Sequence, residues 1–341
     1  MTEQRALKLA HLRSIWAEAP TDIAYRSAGP SSLRDRVDFM IDRKPGGNAR
    51  FGLFDRFKTG IVDLQGCPQL SPALETWFQE FRHFDFSLIA RGSVRLRVSP
   101  SGVRGAWLDF ANVDVKTLLD DGRVLRALLA SNVIVEIGQR RKRLVERDGL
   151  LKLADPVLAP WFETYVDGVA TPLFCTIGSF TQPGFAMNRM LVDEVMSLVP
   201  SAGARAAEFG AGIGNFTLAL AARFREVDAY EVDSLALEGL ALAKPSGVTV
   251  HSGNYQGDKA LALDFSQVDC LLVDPPRSGL MKFVDPVASA RKLIYVSCFA
   301  ESFAADSARL REFGFQVDHA MIIDQFPQSR HYEIAASFSR A

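Results

Sequence analysis

Glu208-Phe209-Gly210-Ala211-Gly212-Ile213-Gly214-Asn215-Phe216 is the stretch that decides the fold of this 341-residue chain. An apolar run at 204–209 leads into glycines at alternate positions, and 216–224 follows with helical spacing, so the segment reads as strand, tight loop, helix. Glycine lets the backbone turn sharply and come close to a ligand. Glu231 ends the next apolar run, 227–231, roughly 20 residues further on, where a carboxylate can accept both hydroxyl hydrogens of a ribose. The spacing is GxGxG rather than GxGxxG, and an acid, Glu208, precedes the glycines. S-adenosylmethionine carries no pyrophosphate, so it needs no helix N-terminus to hold a dianion. The loop is read as an S-adenosylmethionine site; a dinucleotide site and a plain tight turn are the other readings.

Around this loop, helices at 187–198 and 234–243 alternate with apolar strands at 248–251, 268–273 and 293–297, the grammar of a doubly wound parallel sheet. Two further strands, 316–323 and 331–338, read as the closing antiparallel pair of a methyltransferase sheet. The fold class is therefore α/β, with a Rossmann-like class I methyltransferase domain over 166–341. Before it the pattern differs. A helix at 3–17 precedes short alternating runs at 36–41 and 50–54, placed around the turn Pro45-Gly46-Gly47. A strand at 60–64 is followed by a helix at 72–84 with Leu74, Trp77, Phe78 and Phe81 on one face. A hairpin at 86–98 and 105–110, a helix at 113–129 and a strand at 133–138 complete an α+β domain over 1–165. Residues 150–173 read as a connector.

Charge is unevenly divided. Residues 1–160 carry 25 lysines and arginines against 19 acids, and the remainder 14 against 21. A basic half on an acidic half points to an anionic partner such as RNA, or to two solvated surfaces. The run Arg140-Arg141-Lys142-Arg143 fits a phosphate contact or a solvated strand end. No apolar run reaches the roughly 18 residues of a membrane span, and the first residues lack a signal-peptide core, so a cytoplasmic protein is expected. The four cysteines, Cys67, Cys175, Cys270 and Cys298, form no CxxC pair. No metal or iron–sulfur site is expected from them.

Two more pieces carry chemistry. Asp274-Pro275-Pro276-Arg277-Ser278-Gly279 follows strand 268–273, at the strand end where open α/β sheets bind ligands. Ser297-Cys298 ends the next strand in the same way. A cysteine there is a buried core residue or, because it lies at the ligand edge, a nucleophile.

The ordered set Gly178-Ser179-Phe180-Thr181-Gln182-Pro183, Gly212-Ile213-Gly214-Asn215-Phe216, Asp274-Pro275-Pro276-Arg277-Ser278-Gly279-Leu280, Ser297-Cys298, Asp324-Gln325-Phe326-Pro327 and His331-Tyr332-Glu333 resembles the RNA (uracil-5)-methyltransferases. The match covers 178–340, with a fainter one over 33–70. The resemblance implies S-adenosylmethionine as cofactor and a uridine in structured RNA as substrate, with the 1–165 domain recognising the RNA. It implies Cys298 as nucleophile and Glu333 as base. Gln182, Gly210, Gly212, Asn215, Glu231 and Asp274 match its cofactor-binding positions. It suggests the tRNA T-loop, with 23S rRNA as the alternative, and a monomer. Three departures stand out: Phe299-Ala300 replaces the usual Asn-Pro, Gly210-Ala211 replaces an aromatic–Cys pair, and Cys67 alone resembles a ligand of the iron–sulfur cluster that some members carry. An amino-group methyltransferase, which needs no thiol, and a catalytically impaired RNA-binding or RNA-folding protein are the competing readings.

Overall fold

The computed structural model describes residues 2–44, 46–55, 57–110 and 113–340. Pro45 of the expected turn lies outside the described residues. The chain forms two compact units, both discontinuous in sequence: Met1–Pro30, Glu163–Leu173 and Ala186–Ala341 make one, and Ser31–Phe162 with Phe174–Phe185 make the other. The sequence reading drew a single boundary, at 165/166. The first 30 residues instead pack with the C-terminal half.

The first unit is built on an eight-stranded sheet. Its order is Ala24–Ser27, Phe315–Asp324, Glu333–Arg340, Lys292–Ser297, Cys270–Val273, Gly203–Phe209, Phe224–Glu231, Val248–Ser252. All neighbours run parallel except Glu333–Arg340, which is antiparallel to both of its partners. From Gly203–Phe209 the chain winds outward to Val248–Ser252, then returns on the other side through Cys270–Val273. Between those two strands the winding direction switches, which opens a crevice at their carboxyl ends. Leu271, Leu272, Val273, Leu293, Ile294 and Tyr295 are fully buried. That explains their uninterrupted apolar runs, since a central parallel strand has no solvent face.

The second unit is an eight-stranded, mostly antiparallel sheet from Arg36–Arg43 to Leu150–Ala154. Its one parallel pairing joins Arg104–Asp109 to Ile134–Ile137. The helix Pro72–Phe81 starts where Ser71 Oγ accepts from the Leu74 amide and Pro72 occupies the first turn, a position that needs no amide donor. It buries Leu74, Trp77, Phe78 and Phe81, the face that its spacing specifies. Two readings change here. The helix expected over 113–129 is broken into Val115–Asp121 and Arg123–Ala130 at Gly122, whose φ of 61° no helix interior accepts. The expected connector at 150–173 is strand throughout much of its length, in Leu150–Ala154, Ala159–Val166 and Val169–Cys175. The basic run Arg140–Arg143 spans a 3-10 turn and the start of strand Lys142–Arg147.

Candidate active site

The loop after Gly203–Phe209 is held by backbone. The amides of Gly210 and Ala211 both donate to the Tyr230 carbonyl at 3.1 Å, and the Asp274 amide donates to the Phe209 carbonyl at 2.9 Å. Gly210 has φ +84°, and a Cβ there would stand 2.3 Å from the Asp274 carbonyl oxygen. This close approach accounts for glycine where the resembled family has an aromatic residue. A Cβ on Gly212, also at positive φ, would meet nothing within 4 Å, so open space lies over the centre of the loop.

Glu231 reaches back over that loop. One carboxylate oxygen accepts from the Gly212 amide at 2.8 Å, and the other from Val232 and Asp233 at 2.7 and 2.9 Å. About four lone-pair sites exist on a carboxylate, so acceptor capacity is left for a ribose. Asn215 exchanges side-chain hydrogen bonds of 2.8 and 2.9 Å with fully buried Asn188, and its carbonyl accepts from Thr164. Glu208 is fully buried. One of its oxygens accepts from Thr217 at 2.6 Å and the other has no partner. Burial is the first cause that pushes its carboxyl up to about 8. Gln182 lies in the other unit, on the segment Phe174–Phe185.

The thiol and the carboxylate come from facing strands. Lys292–Ser297 pairs with Glu333–Arg340 so that Ser297 opposes Ile334. Cys298 follows Ser297 directly and Glu333 precedes Ile334 directly, so both stand at this end of the pair. On the other side of its strand, Glu333 is paired with Ile323. Cys298 is half-buried and Glu333 buried. Burial raises the Cys298 thiol, and the charges of Glu333 and Asp274 raise it further; the positive charge of Arg277 pulls it down. Glu333 is pushed up to about 8 by burial and then by Asp274, and Asp274 to about 7 by burial and then by Glu231. Each of these groups is felt by at least one other, so the glycine loop, the Asp-Pro-Pro turn, the thiol and the carboxylate form one cluster at one edge of the sheet. Gly210, Gly212, Asn215, Glu231, Asp274, Cys298 and Glu333 all belong to this unit.

Arg277 stands within the Asp-Pro-Pro turn, and the sequence reading assigns it no role. Its guanidinium stands 5.9 Å from the Phe299 ring centroid, beside the thiol. The loop around Cys298 is closed by Ser297, whose Oγ accepts from the Phe299 amide and donates to the Phe299 carbonyl. A brace is thus present without the Asn-Pro pair.

The family model described as tRNA (Uracil-5-)-methyltransferase matches residues 249–341. The uncharacterized RNA methyltransferase Bd2056 of Bdellovibrio bacteriovorus is 41% identical over 338 residues, 94% of this chain and 85% of that protein. The chain belongs to the RNA (uracil-5-)-methyltransferases. A second relative, the 23S rRNA (uracil(1939)-C(5))-methyltransferase RlmD of Shewanella sp. strain ANA-3, is 33% identical over 195 residues, 54% of this chain but 43% of that protein. In fold, the enzyme resembles the Pyrococcus abyssi tRNA (uracil-54, C5)-methyltransferase solved with S-adenosyl-L-homocysteine, with a TM-score of 0.69 and 18% identity over 99% of this chain and 83% of that one. The cofactor of this methyltransferase is S-adenosylmethionine. The residues present suit it: a glycine cradle with space above it, an acid with spare acceptors on the neighbouring strand, and a half-buried Asp274 beside them. Among the described residues no group of three His, Cys, Asp or Glu is placed to hold a metal, and no helix is long and apolar enough to cross a membrane.

Proposed function

We propose that this enzyme methylates carbon 5 of a uridine in structured RNA through a covalent bond from Cys298 to carbon 6. The pairing of Ser297 with Ile334, which brings Cys298 and Glu333 to the same end of two paired strands, carries the reading. Carbon 5 of uracil is a weak nucleophile, and addition of the Cys298 thiolate to carbon 6 turns the ring into an enolate with an electron-rich carbon 5. When bound, S-adenosylmethionine supplies an electrophilic methyl group on a sulfonium. Glu333, as the carboxylate, then takes the proton from carbon 5; the carbon–carbon double bond re-forms and the bond to Cys298 breaks, returning the thiolate. The charge of Arg277 offsets part of the rise in the thiol and so favours the thiolate. Gly210, Gly212, Asn215, Glu231 and Asp274 hold the cofactor. The uridine leaves its stack to meet the thiol, which favours a loop in folded RNA over a plain helix.

The ordered motifs favour a tRNA T-loop uridine. The 33% identity to a 23S rRNA enzyme favours rRNA as the second reading. We place the reaction in the cytoplasm, by a monomer without an iron–sulfur cluster. Mapping 5-methyluridine in total RNA from cells with and without the gene separates the two substrates. Loss of a T-loop mark supports the first and loss of an rRNA mark the second. Purified Cys298→Ala should transfer no methyl group from labelled cofactor to either RNA; retained transfer would exclude the covalent route and favour methylation of an amino group.

A further inference from the structure

The N-terminal helix Thr2–Ile15 has an unusual inner stripe. Lys8, Leu12 and Trp16, spaced by four, are buried, while Leu7 is 61% exposed. A lysine has taken the inward position and a leucine the outward one. Such an inversion costs free energy unless the ammonium is fully paired. Here it is. Lys8 Nζ donates to Asp324 Oδ1 at 2.6 Å, to the Phe326 carbonyl at 3.0 Å and to the His331 carbonyl at 3.0 Å. An ammonium has three donors, and all three are used.

The acceptors share one purpose. Asp324 ends one strand and Glu333 begins the next. The residues between them, 325–332, make a longer connection than the two to five residues of a usual hairpin. Lys8 ties the two ends of this loop together. The same N-terminal segment adds two more ties. Tyr25 donates to Asp324 Oδ2, and His11, one turn from Lys8, pairs with the Tyr332 hydroxyl at 2.8 Å. Tyr332 is the residue directly before Glu333.

We propose that Lys8 is a positioning residue for Glu333: by closing the neck of the 325–332 loop, the N-terminal helix fixes where that carboxylate stands relative to Cys298. The proposal rests on the reading of Glu333 as the base that strips carbon 5. Loss of the brace should leave cofactor binding and formation of the Cys298–uracil bond intact and slow the elimination that follows. Lys8→Met should therefore lower kcat at least tenfold with KM for RNA changed less than threefold, and should accumulate enzyme bonded to methylated RNA.

The test uses full-length enzyme, methyl-labelled S-adenosylmethionine, and tRNA and 23S rRNA transcripts, with label read on denaturing gels as protein–RNA adduct. Glu333→Gln is run beside it. Adduct in both variants supports the proposal. Adduct in Glu333→Gln with wild-type turnover, or with slow turnover and no adduct, in a folded Lys8→Met overturns it. Absence of adduct in Glu333→Gln itself removes the underlying reading instead. Should Lys8→Met fail to fold, Tyr332→Phe, which deletes one hydroxyl of the same brace, carries the test: a fall in turnover with adduct supports the brace, and unchanged turnover overturns it.

Discussion

At the scale of single residues, the site is a contest over where one negative charge sits. Glu333 and Asp274 oppose ionisation of Cys298, and Arg277 favours it. Replacing Glu333 by glutamine removes a repulsion, so the thiol should ionise more readily. Iodoacetamide should alkylate Cys298 several-fold faster at pH 9, where Glu333 is ionised, in Glu333→Gln than in wild type, and several-fold slower in Arg277→Ala, as read by mass spectrometry of the Cys298 peptide. Equal rates in all three would show that the charges do not reach the sulfur. The acids of the site make a second expectation. Glu208 and Glu333 hold their protons to about 8 in the folded chain, and Asp274 to about 7. The unfolded chain releases them near 4, so between those limits the folded state binds more protons. Their contribution is present below the unfolded values and is lost as pH rises through the folded ones. The melting temperature of the cofactor-free enzyme should therefore fall from pH 5.5 to 8.5, and Glu208→Gln should flatten that slope in calorimetry. The sequence named Cys298 and Glu333 because each lies within a recognisable motif. It could not name Arg277 as a charge that acts on the sulfur, because that proximity depends on two strand ends meeting in space.

At the scale of elements, the glycine loop shows how local chemistry becomes a binding site. Gly210 and Gly212 both need positive φ, which costs a side-chain-bearing residue about 1–3 kcal/mol. Only Gly210 adds a collision, with the carbonyl of Asp274. Gly210→Ala must push apart the two strands that define the crevice, whereas Gly212→Ala only intrudes on the space above the loop. Both should weaken cofactor binding by calorimetric titration at least tenfold. Gly210→Ala alone should also lower the melting temperature by several degrees. This loop was legible because its strand, glycines and acid lie within one short stretch of chain, and helix Ser234–Ala243 was legible for the same reason. Other elements were not. Pro156, Pro160 and Pro172 interrupt the alternation in 150–173, so three strands read as a connector. The run 216–224 read as one helix, but only Thr217–Ala221 is helical, and Phe224 already opens the next strand. Helix Ala300–Glu312 buries Ala300, Phe303, Ala304, Asp306, Ser307 and Leu310. Its inner face mixes polar with apolar residues, which dilutes the periodic signal.

At the scale of the molecule, the chain's first 30 residues belong with its last 156. No local pattern could show this, since hydrophobic spacing reports that a helix has an inner face and not which surface receives it. Leu12, Trp16 and Ile23 enter the core of the methyltransferase sheet, beside residues such as Phe303, Leu310 and Ile322. Strand Ala24–Ser27 adds a parallel edge to Phe315–Asp324, and Trp16 Nε1 donates to Ser307 Oγ at 2.8 Å. Burying three such side chains is worth roughly 5–9 kcal/mol, comparable with the roughly 5–15 kcal/mol that holds a whole domain folded. Losing them also takes from Asp324 its Lys8 and Tyr25 partners. A loss of this size can remove most of a single domain's stability. A fragment of residues 166–341, cut where the sequence alone would place the boundary, should therefore fail to give a cooperative melting transition by circular dichroism. Joining residues 1–30 to 163–341 through a flexible linker should restore one. A cooperative transition in the shorter fragment would mean that the N-terminal segment decorates this unit without holding it together.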